Sequence, residues 1–154
     1  GMCLSMHQPW ASLAVCGIKQ VEGRQWPTRH RGRLWIAATK RKPLQDEIDQ
    51  VLAQYAALQE LRPPHAPVFK EPDAYPTSAL LGCVDLVDCV EGQVLREAAE
   101  DGEEATECDY GFVLDRPCRL TVPPKALGQP KIYKLDPVMV SRAQKQLRHV
   151  IPIG

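Results

Sequence analysis

Apolar residues recur at helical spacing in one long segment of the chain, residues 44–61. They fall three or four positions apart, so that in a helix they share one face. The residues of this stripe are Leu44, Ile48, Val51, Leu52, Tyr55, Leu58 and Leu61. Pro43 suits the first helical position, and the acidic side chains that follow it suit the positive end of a helix dipole. We predict an α-helix over 44–61.

Short apolar runs bounded by Gly, Pro and polar residues predict β-strands elsewhere. The run 34–39 is Ala-rich and continuously apolar, which is typical of a strand buried on both faces. Pro9 and Gly17 bracket a two-turn helix, since Pro favours the first helical position and Gly follows the last. Strands are predicted over 3–8, the later part of 18–24, 34–39, 80–90, 110–115, 119–122 and 131–135, and helices over 9–16, 44–61, the start of 93–107, and 138–150.

The order of these elements excludes a doubly wound parallel sheet, because strands and helices do not alternate regularly. Five or six short strands with a few helices favour a small mixed β-barrel of the α+β class. Residues 62–78 carry five prolines and predict a long loop, which is unusual enough to be functional or mobile. No internal repeat is visible.

Length and composition are those of one globular domain. The chain has 154 residues, of which 44% are apolar and 25% charged, and no apolar run approaches the roughly 18–20 residues of a membrane span. Nothing at the start resembles a secretory leader, so we expect neither secretion nor membrane association. Gly1 before Met2 is typical of a residue left by tag cleavage, and we expect residues 2–154 to form one domain of a longer protein.

Charge is unevenly distributed although the net charge is zero. Residues 19–42 hold eight Lys or Arg and one acid, and residues 116–148 also hold eight bases and one acid. Residues 85–109 hold ten acids and one base. If the fold brings the two basic blocks to one face, that face suits a polyanion. Otherwise these charges only keep the domain soluble.

The cysteines and histidines give no sign of a metal centre. Six Cys and four His are present, but neither a CxxC pair nor any other ligand spacing occurs. We therefore expect free thiols, with Cys83 and Cys89 in the core, and no metal or other cofactor. Asp85 lies inside an apolar strand, where a buried acid needs a partner. A structural ion pair is favoured over a catalytic role for this carboxylate.

Two short segments combine polar, charged and aromatic side chains. Residues 6–10 place hydrogen-bond donors and an aromatic ring at a strand-to-helix junction, although capping and core packing explain them equally well. In residues 17–24, an extended backbone turns Glu22 and Arg24 to one side and Lys19 to the other. Such a Glu–Arg pair is either a surface ion pair of little energetic value or the wall of a pocket that binds phosphate or a base edge.

Longer segments of the chain resemble one known family. They are CLSMHQPWASL from Cys3, GIKQVEGR from Gly17, HRGRLWIAAT from His30, LLGCVDLVDC from Leu80 and GQPKIYKLD from Gly128. Together they closely resemble the ASCH domain family of the PUA-like superfamily, over about residues 3–136. The resemblance implies a PUA-like mixed β-barrel with flanking helices and a ligand cleft. It also implies a nuclear transcriptional coactivator whose domain binds nucleic acid.

In that family, a GxKxxExR segment and the strand-to-helix junction line the cleft. Carried over to this chain, the resemblance implies a nucleic-acid-binding site in which Trp10 or Trp26 stacks on a base and a track of basic residues continues along the phosphates. The expected site residues are His7, Gln8, Pro9, Trp10, Lys19, Glu22, Arg24, Trp26, Arg29, His30, Arg31, Arg33 and Lys131.

Some bacterial members of the superfamily resemble amidohydrolases that act on acylated cytidine through a Lys, a Thr three residues later and a distant acid. Lys19 is present here, but Glu22 replaces the Thr, so that a hydroxyl nucleophile is missing. Asp85 is the candidate for the distant acid. We therefore expect a non-catalytic module, with two alternatives: a nucleoside amidohydrolase, or a protein-interaction module that uses loop 62–78 or the acidic block 85–109.

The expected ligand is single-stranded or duplex RNA or DNA, bound with weak sequence specificity. Transcription or RNA-processing proteins are expected as partners of the rest of the parent chain, and no membrane is involved. The expected location is the nucleus, with the cytoplasm as a second location.

Overall fold

The computed structural model describes residues 1–153. Most of the predicted elements are present, with boundaries that differ by one or two residues. In chain order, the elements are β1 (Met2–Met6), α1 (Trp10–Val15), β2 (Val21–Arg24), β3 (Gly32–Ala38), α2 (Gln45–Leu61), β4 (Ala79–Glu91), α3 (Gly92–Ala98), β5 (Tyr110–Leu120), β6 (Ile132–Lys134), α4 (Pro137–Gln144) and β7 (Leu147–His149).

One curled mixed sheet organises the fold. Its strands lie in the order β2-β5-β4-β3-β1-β6, with β7 added to β5. Strands β1 and β3 run parallel, and the other paired strands run antiparallel. The sheet curls into a half-barrel that brings β2 back toward β1, where Arg24 Nη2 donates to the Ser5 carbonyl oxygen at 3.0 Å. This architecture is the predicted mixed α+β fold.

Both faces of the sheet are covered by apolar packing. On one face, α1 packs against a cluster that includes Ile36 and Phe112. On the other face, Trp35 and Tyr133 belong to a second cluster, against which side chains of α4 pack. Residues 34–38 of β3 are all buried. The prediction of a strand buried on both faces is therefore confirmed.

Gly17 ends the first helix as predicted. Helix α1 stops at Val15, and Gly17 follows with a φ of +89°, a conformation that favours glycine because it lacks a Cβ. The backbone N–H groups of Ile18 and Lys19 then both donate to the carbonyl oxygen of Leu13, at 3.1 Å. These hydrogen bonds turn the chain sharply from the helix toward β2.

The prediction of separate strands over 110–115 and 119–122 is wrong, because β5 continues through Pro117. Proline lacks a backbone N–H and is tolerated in sheets at bulges. The register between β4 and β5 shifts between Cys83 and Asp85, and the adjacent Arg116 has a φ of +48°. This bulge accommodates the proline without ending the strand.

The prediction of a terminal helix over 138–150 is wrong beyond Gln144. Helix α4 ends there, and β7 pairs antiparallel with the last three residues of β5. The backbone edge of β5 offers hydrogen bonds to this segment, and they outweigh its helix-favouring composition.

Helix α2 is confirmed, but its apolar stripe is only partly covered. Ile48 and Val51 are buried, whereas Leu44 and Leu61 at the two ends are exposed. The middle of the helix faces Ile18 and the proline-rich segment, with which it encloses a small cavity. Residues 62–78 form the predicted loop, which pairs with the end of the chain through one isolated β-bridge.

The remaining structural expectations concern thiols and Asp85. All six cysteines are free, and Cys83 is buried as expected, whereas Cys89 is half-buried. Asp85 pairs with Arg116 at 2.5 Å, which is the structural ion pair that its position predicted. Within residues 1–153, no helix combines the length and apolar character needed to cross a membrane.

Candidate functional site

An open cleft of about 560 Å³ lies where the curled sheet brings β2 near β1. It draws on β1 and the junction after it, on β2, on the acidic segment before β5 and on the turn before β6. Its lining residues are Ser5, Met6, His7, Trp10, Lys19, Glu22, Gly23, Arg24, Thr39, Thr106, Cys108, Gln129, Pro130 and Lys131. The fold therefore joins residues of the first basic block to one residue, Lys131, of the second.

The floor of the cleft is an ion-pair chain built from the GxKxxExR segment. Glu22 Oε2 accepts from Arg24 Nη2 at 2.8 Å and from Arg24 Nε at 3.1 Å. Its other oxygen lies 3.4 Å from Lys19 Nζ. Lys19 was expected on the opposite side from Glu22, but β2 begins only at Val21. Strict alternation therefore does not apply to Lys19, and its side chain reaches the same carboxylate.

Glu104 extends this ion-pair chain from outside the cleft lining, and no motif in the sequence indicates its role. Its Oε1 accepts from the backbone N–H groups of Gln20 at 2.7 Å and Val21 at 3.1 Å. Its Oε2 accepts from the Tyr55 hydroxyl at 2.7 Å and from Lys19 Nζ at 3.3 Å. One carboxylate thus ties α2 and the acidic segment to the start of β2.

Gly23 allows the acidic segment before β5 to pack closely against β2. A Cβ at this position would clash with Thr106 Oγ1 and would lie 2.8 Å from Cys108 Sγ. Such a distance is far shorter than a normal van der Waals contact. The second glycine of the GxKxxExR segment therefore lets the segment that carries Glu104 pack directly on β2.

Charge in the floor is balanced. Lys19 pairs with both Glu22 and Glu104, and Arg24 pairs with Glu22, so that two cations face two carboxylates. Burial alone lowers the pKa of Lys19, but the carboxylates of Glu104 and Glu22 outweigh it, so the net pKa lies above that of an ordinary lysine. Burial, together with Glu104, raises the pKa of Tyr55. Lys19 is therefore a cation and Tyr55 a neutral phenol at neutral pH.

Trp26 lies next to two cations that line the cleft, Arg24 and Lys131. Trp26 packs edge-on against Phe112 at a centroid distance of 5.3 Å. Arg24 Cζ lies 5.9 Å and Lys131 Nζ 5.7 Å from the centroid of the Trp26 ring. Lys131 has a φ of +57°, which is uncommon for a residue with a side chain. Trp26 is half-buried and is absent from the cleft lining, whose aromatic side chain is Trp10.

Of the site residues predicted at the junction 6–10, His7 and Trp10 line the cleft, whereas Gln8 and Pro9 do not. His7 is exposed, with Nδ1 2.7 Å from Thr39 Oγ1, and Trp10 lines the cleft while packing on the core. Gln8 and Pro9 are fully buried. The Gln8 amide caps α1, accepting from the backbone N–H of Ser12 and donating to the Pro76 carbonyl oxygen.

The basic residues 29–33 lie outside the cleft lining. Arg31 pairs with Asp88 at 3.6 Å, and His30 Nε2 lies 2.8 Å from the Arg33 carbonyl oxygen. Arg33 lies beside Trp35, on the face of β3 that packs against the second apolar cluster. Arg29 is exposed. The structure thus separates this group from the cleft.

Within residues 1–153, the residues of the cleft form no metal centre, and the expected distant acid, Asp85, lies elsewhere. Across residues 1–153, no group of three His, Cys, Asp or Glu side chains is placed to hold a metal ion. Asp85, the candidate distant acid, is paired with Arg116 and is absent from the cleft lining. The acid beside Lys19 is instead Glu104.

Known proteins resemble this chain in sequence and fold. The model of the ASCH domain family matches residues 4–134. Activating signal cointegrator 1 of Homo sapiens and of Mus musculus are each 44% identical over 147 residues, which cover 96% of this chain and 24% of the relative. The chain thus spans about a quarter of the length of these relatives.

Two crystal structures of mutant forms of an ASCH protein from Zymomonas mobilis have TM-scores of 0.56 and 0.57 with this fold. Their sequence identities are 16% and 15%, and the matches cover 96% of this chain and 98% and 96% of those chains. They confirm the expected PUA-like fold. With a family model that matches 131 of its residues, from 4 to 134, this chain belongs to the ASCH domain family.

Proposed function

We propose that this domain binds nucleic acid in the cleft between β1 and β2, with weak sequence specificity. The observation that carries the proposal is that an aromatic side chain, Trp10, and two cations, Arg24 and Lys131, line the same open cleft. A base stacked on an aromatic side chain gains about 1–3 kcal/mol whatever its identity. The cations that line the same cleft would contact the phosphate of the stacked nucleotide.

The balanced floor suits a polar base edge better than a second phosphate. Lys19 and Arg24 are neutralised by Glu22 and Glu104, so the net positive charge of the site comes from Lys131 at the rim. Arg24 Nη1 makes no hydrogen bond within residues 1–153 and is free to donate to a ligand. The phosphate contacts are therefore assigned to the rim and the base contacts to the floor.

The likeness to activating signal cointegrator 1 supports the wider setting of this function. We infer that the parent protein acts as a transcriptional coactivator in the nucleus, with the cytoplasm as a second location. Its partners are transcription or RNA-processing proteins bound through other parts of the chain.

Binding to a short oligonucleotide should weaken linearly as the logarithm of salt concentration rises. Each phosphate neutralised contributes about −0.7 to the slope for a single strand and about −0.9 for a duplex. Fluorescence anisotropy with labelled single-stranded and duplex RNA and DNA at several salt concentrations measures the slope. The proposal fails if the wild-type domain does not bind at low salt, or if the slope is near zero.

The domain is not expected to release acetate from acetylcytidine. The Lys19 amine is protonated and donates to the Val21 carbonyl oxygen at 2.6 Å, so it has no lone pair with which to act as base or nucleophile. Glu22 occupies the position at which the hydrolases carry a hydroxyl. Chromatography of the nucleoside after incubation measures turnover. Product formation that disappears in Lys19→Ala would instead identify a hydrolase.

A further inference from the structure

A second group of cations lies at the end of β5 remote from the cleft. The first residues of β5 pair with β2, whereas its last residues pair with β7. There Arg119 of β5 and Arg148 of β7 are direct cross-strand partners. Side chains at such positions share one face with Cβ atoms about 4.5–5.5 Å apart. Like charges placed there destabilise the sheet unless something neutralises them.

Nothing in the described chain neutralises these two guanidinium groups. Both side chains are exposed. Arg119 contacts the Cys16 thiol, and neither arginine forms an ion pair with a carboxylate of residues 1–153. Arg148 donates from Nη1 to the carbonyl oxygen of its neighbour Leu147, at 3.1 Å. Asp73, which lines a neighbouring concavity together with Arg119, is paired with Lys70 at 3.5 Å. The arginine pair therefore keeps its full positive charge.

The two arginines open onto a shared concavity of about 340 Å³. Lys70, Thr121 and His149 also line it. A guanidinium fork matches the oxygens of a phosphate, and two forks on one face can grip a single phosphate from both sides. An anion bound here would also remove the repulsion between the arginines.

We propose that Arg119 and Arg148 form a second phosphate-binding site, which takes a backbone phosphate of nucleic acid. The nucleic-acid source of the phosphate rests on the proposed function, whereas the site itself rests on the unneutralised arginine pair. Its open shape suits a phosphodiester backbone that passes across the surface. The second basic block, residues 116–148, supplies only Lys131 to the cleft. Arg119 and Arg148 belong to the same block, and at this site they would bind phosphate.

The test compares two double variants with equal loss of charge. Arg119→Gln with Arg148→Gln removes the pair, and Arg142→Gln with Lys145→Gln removes two exposed cations of the same basic block that lie outside the concavity. With a labelled single-stranded oligonucleotide, the first variant should weaken binding roughly fivefold and reduce the magnitude of the salt slope by about 0.7. The control variant should stay within about twofold of wild type. Equal effects in both variants would overturn the proposal.

NMR spectroscopy of the arginine side chains identifies the class of ligand. The Nε resonances of Arg119 and Arg148 should shift saturably with inorganic phosphate, and the oligonucleotide should compete. A response to a phosphoserine peptide but not to the oligonucleotide would overturn the proposal in favour of a phosphoprotein ligand. The variant Arg24→Ala reports on the cleft independently. If it abolishes binding while the Arg119 and Arg148 variant binds like wild type, the second site fails and the cleft stands; the reverse pattern removes the cleft alone.

Discussion

Replacing Glu104 with alanine is expected to lower the free energy of unfolding by about 3–5 kcal/mol, the cost of breaking a buried ion pair from one side. The Glu104 side chain is 8% exposed and accepts four hydrogen bonds. Its loss leaves the Tyr55 hydroxyl and the N–H groups of Gln20 and Val21 without an acceptor. Thermal unfolding followed by circular dichroism should show a fall in Tm of roughly 6–20 °C for a domain of this size.

Two further variants separate this effect from a general loss of negative charge. Glu107→Ala removes an exposed acid of the same segment and should change stability by no more than about 0.5 kcal/mol. Glu104→Gln keeps an oxygen that can accept from the backbone and should fall between the two. A Glu104→Ala protein as stable as Glu107→Ala would contradict the clamp that we assign to Glu104.

The pH at which the Glu104 variants should be compared follows from the raised pKa of Lys19. Because the folded-state pKa is raised, the stabilisation from the Lys19 ion pairs is fully present below the ordinary lysine pKa of about 10.4. It is lost only as the pH rises beyond that value toward the folded-state pKa. Unfolding measured near pH 7 therefore reports the whole contribution of Lys19.

Elements with a strong local pattern could be predicted from the sequence. Pro9 and Gly17 mark the ends of α1, and the apolar runs 34–39 and 80–90 mark two strands, of which the second is buried mainly in its first half. In each case neighbouring residues specify the conformation. The segment 145–150 has a helix-favouring composition but becomes β7, because the free edge of β5 lies beside it only in the folded chain. Local propensity carries no information about such an edge.

The electrostatics of the site could not be predicted for the same reason. The sequence marked Lys19, Glu22 and Arg24, but not the acid that orders them. Glu104 is one of ten acids in 85–109 and lies 85 residues from Lys19, so no local feature distinguishes it from its neighbours. The two basic blocks also looked equivalent, yet only Lys131 of the second reaches the cleft.

Replacing Arg24 with alanine is expected to weaken oligonucleotide binding about ten- to a hundredfold, which corresponds to a charged hydrogen bond of roughly 1.5–3 kcal/mol. The Arg24 side chain is 23% exposed, so a ligand that meets its free Nη1 does so in a partly desolvated site. Arg31→Ala is the matched control, because Arg31 is exposed and outside the cleft. It should weaken all sequences equally and reduce the magnitude of the salt slope by at most about one.

Glu22→Gln separates a binding cleft from a merely basic surface. On a basic surface, removing a negative charge strengthens the binding of a polyanion or leaves it unchanged. In the cleft, Glu22 holds the guanidinium of Arg24 through both Nε and Nη2, so the substitution frees that side chain to move and should weaken binding. Anisotropy titrations of the variants at one salt concentration decide between the two. Tighter binding by Glu22→Gln, together with equal losses in Arg24→Ala and Arg31→Ala, would place the ligand outside the cleft, because only a cleft-bound ligand depends on how Glu22 orients Arg24.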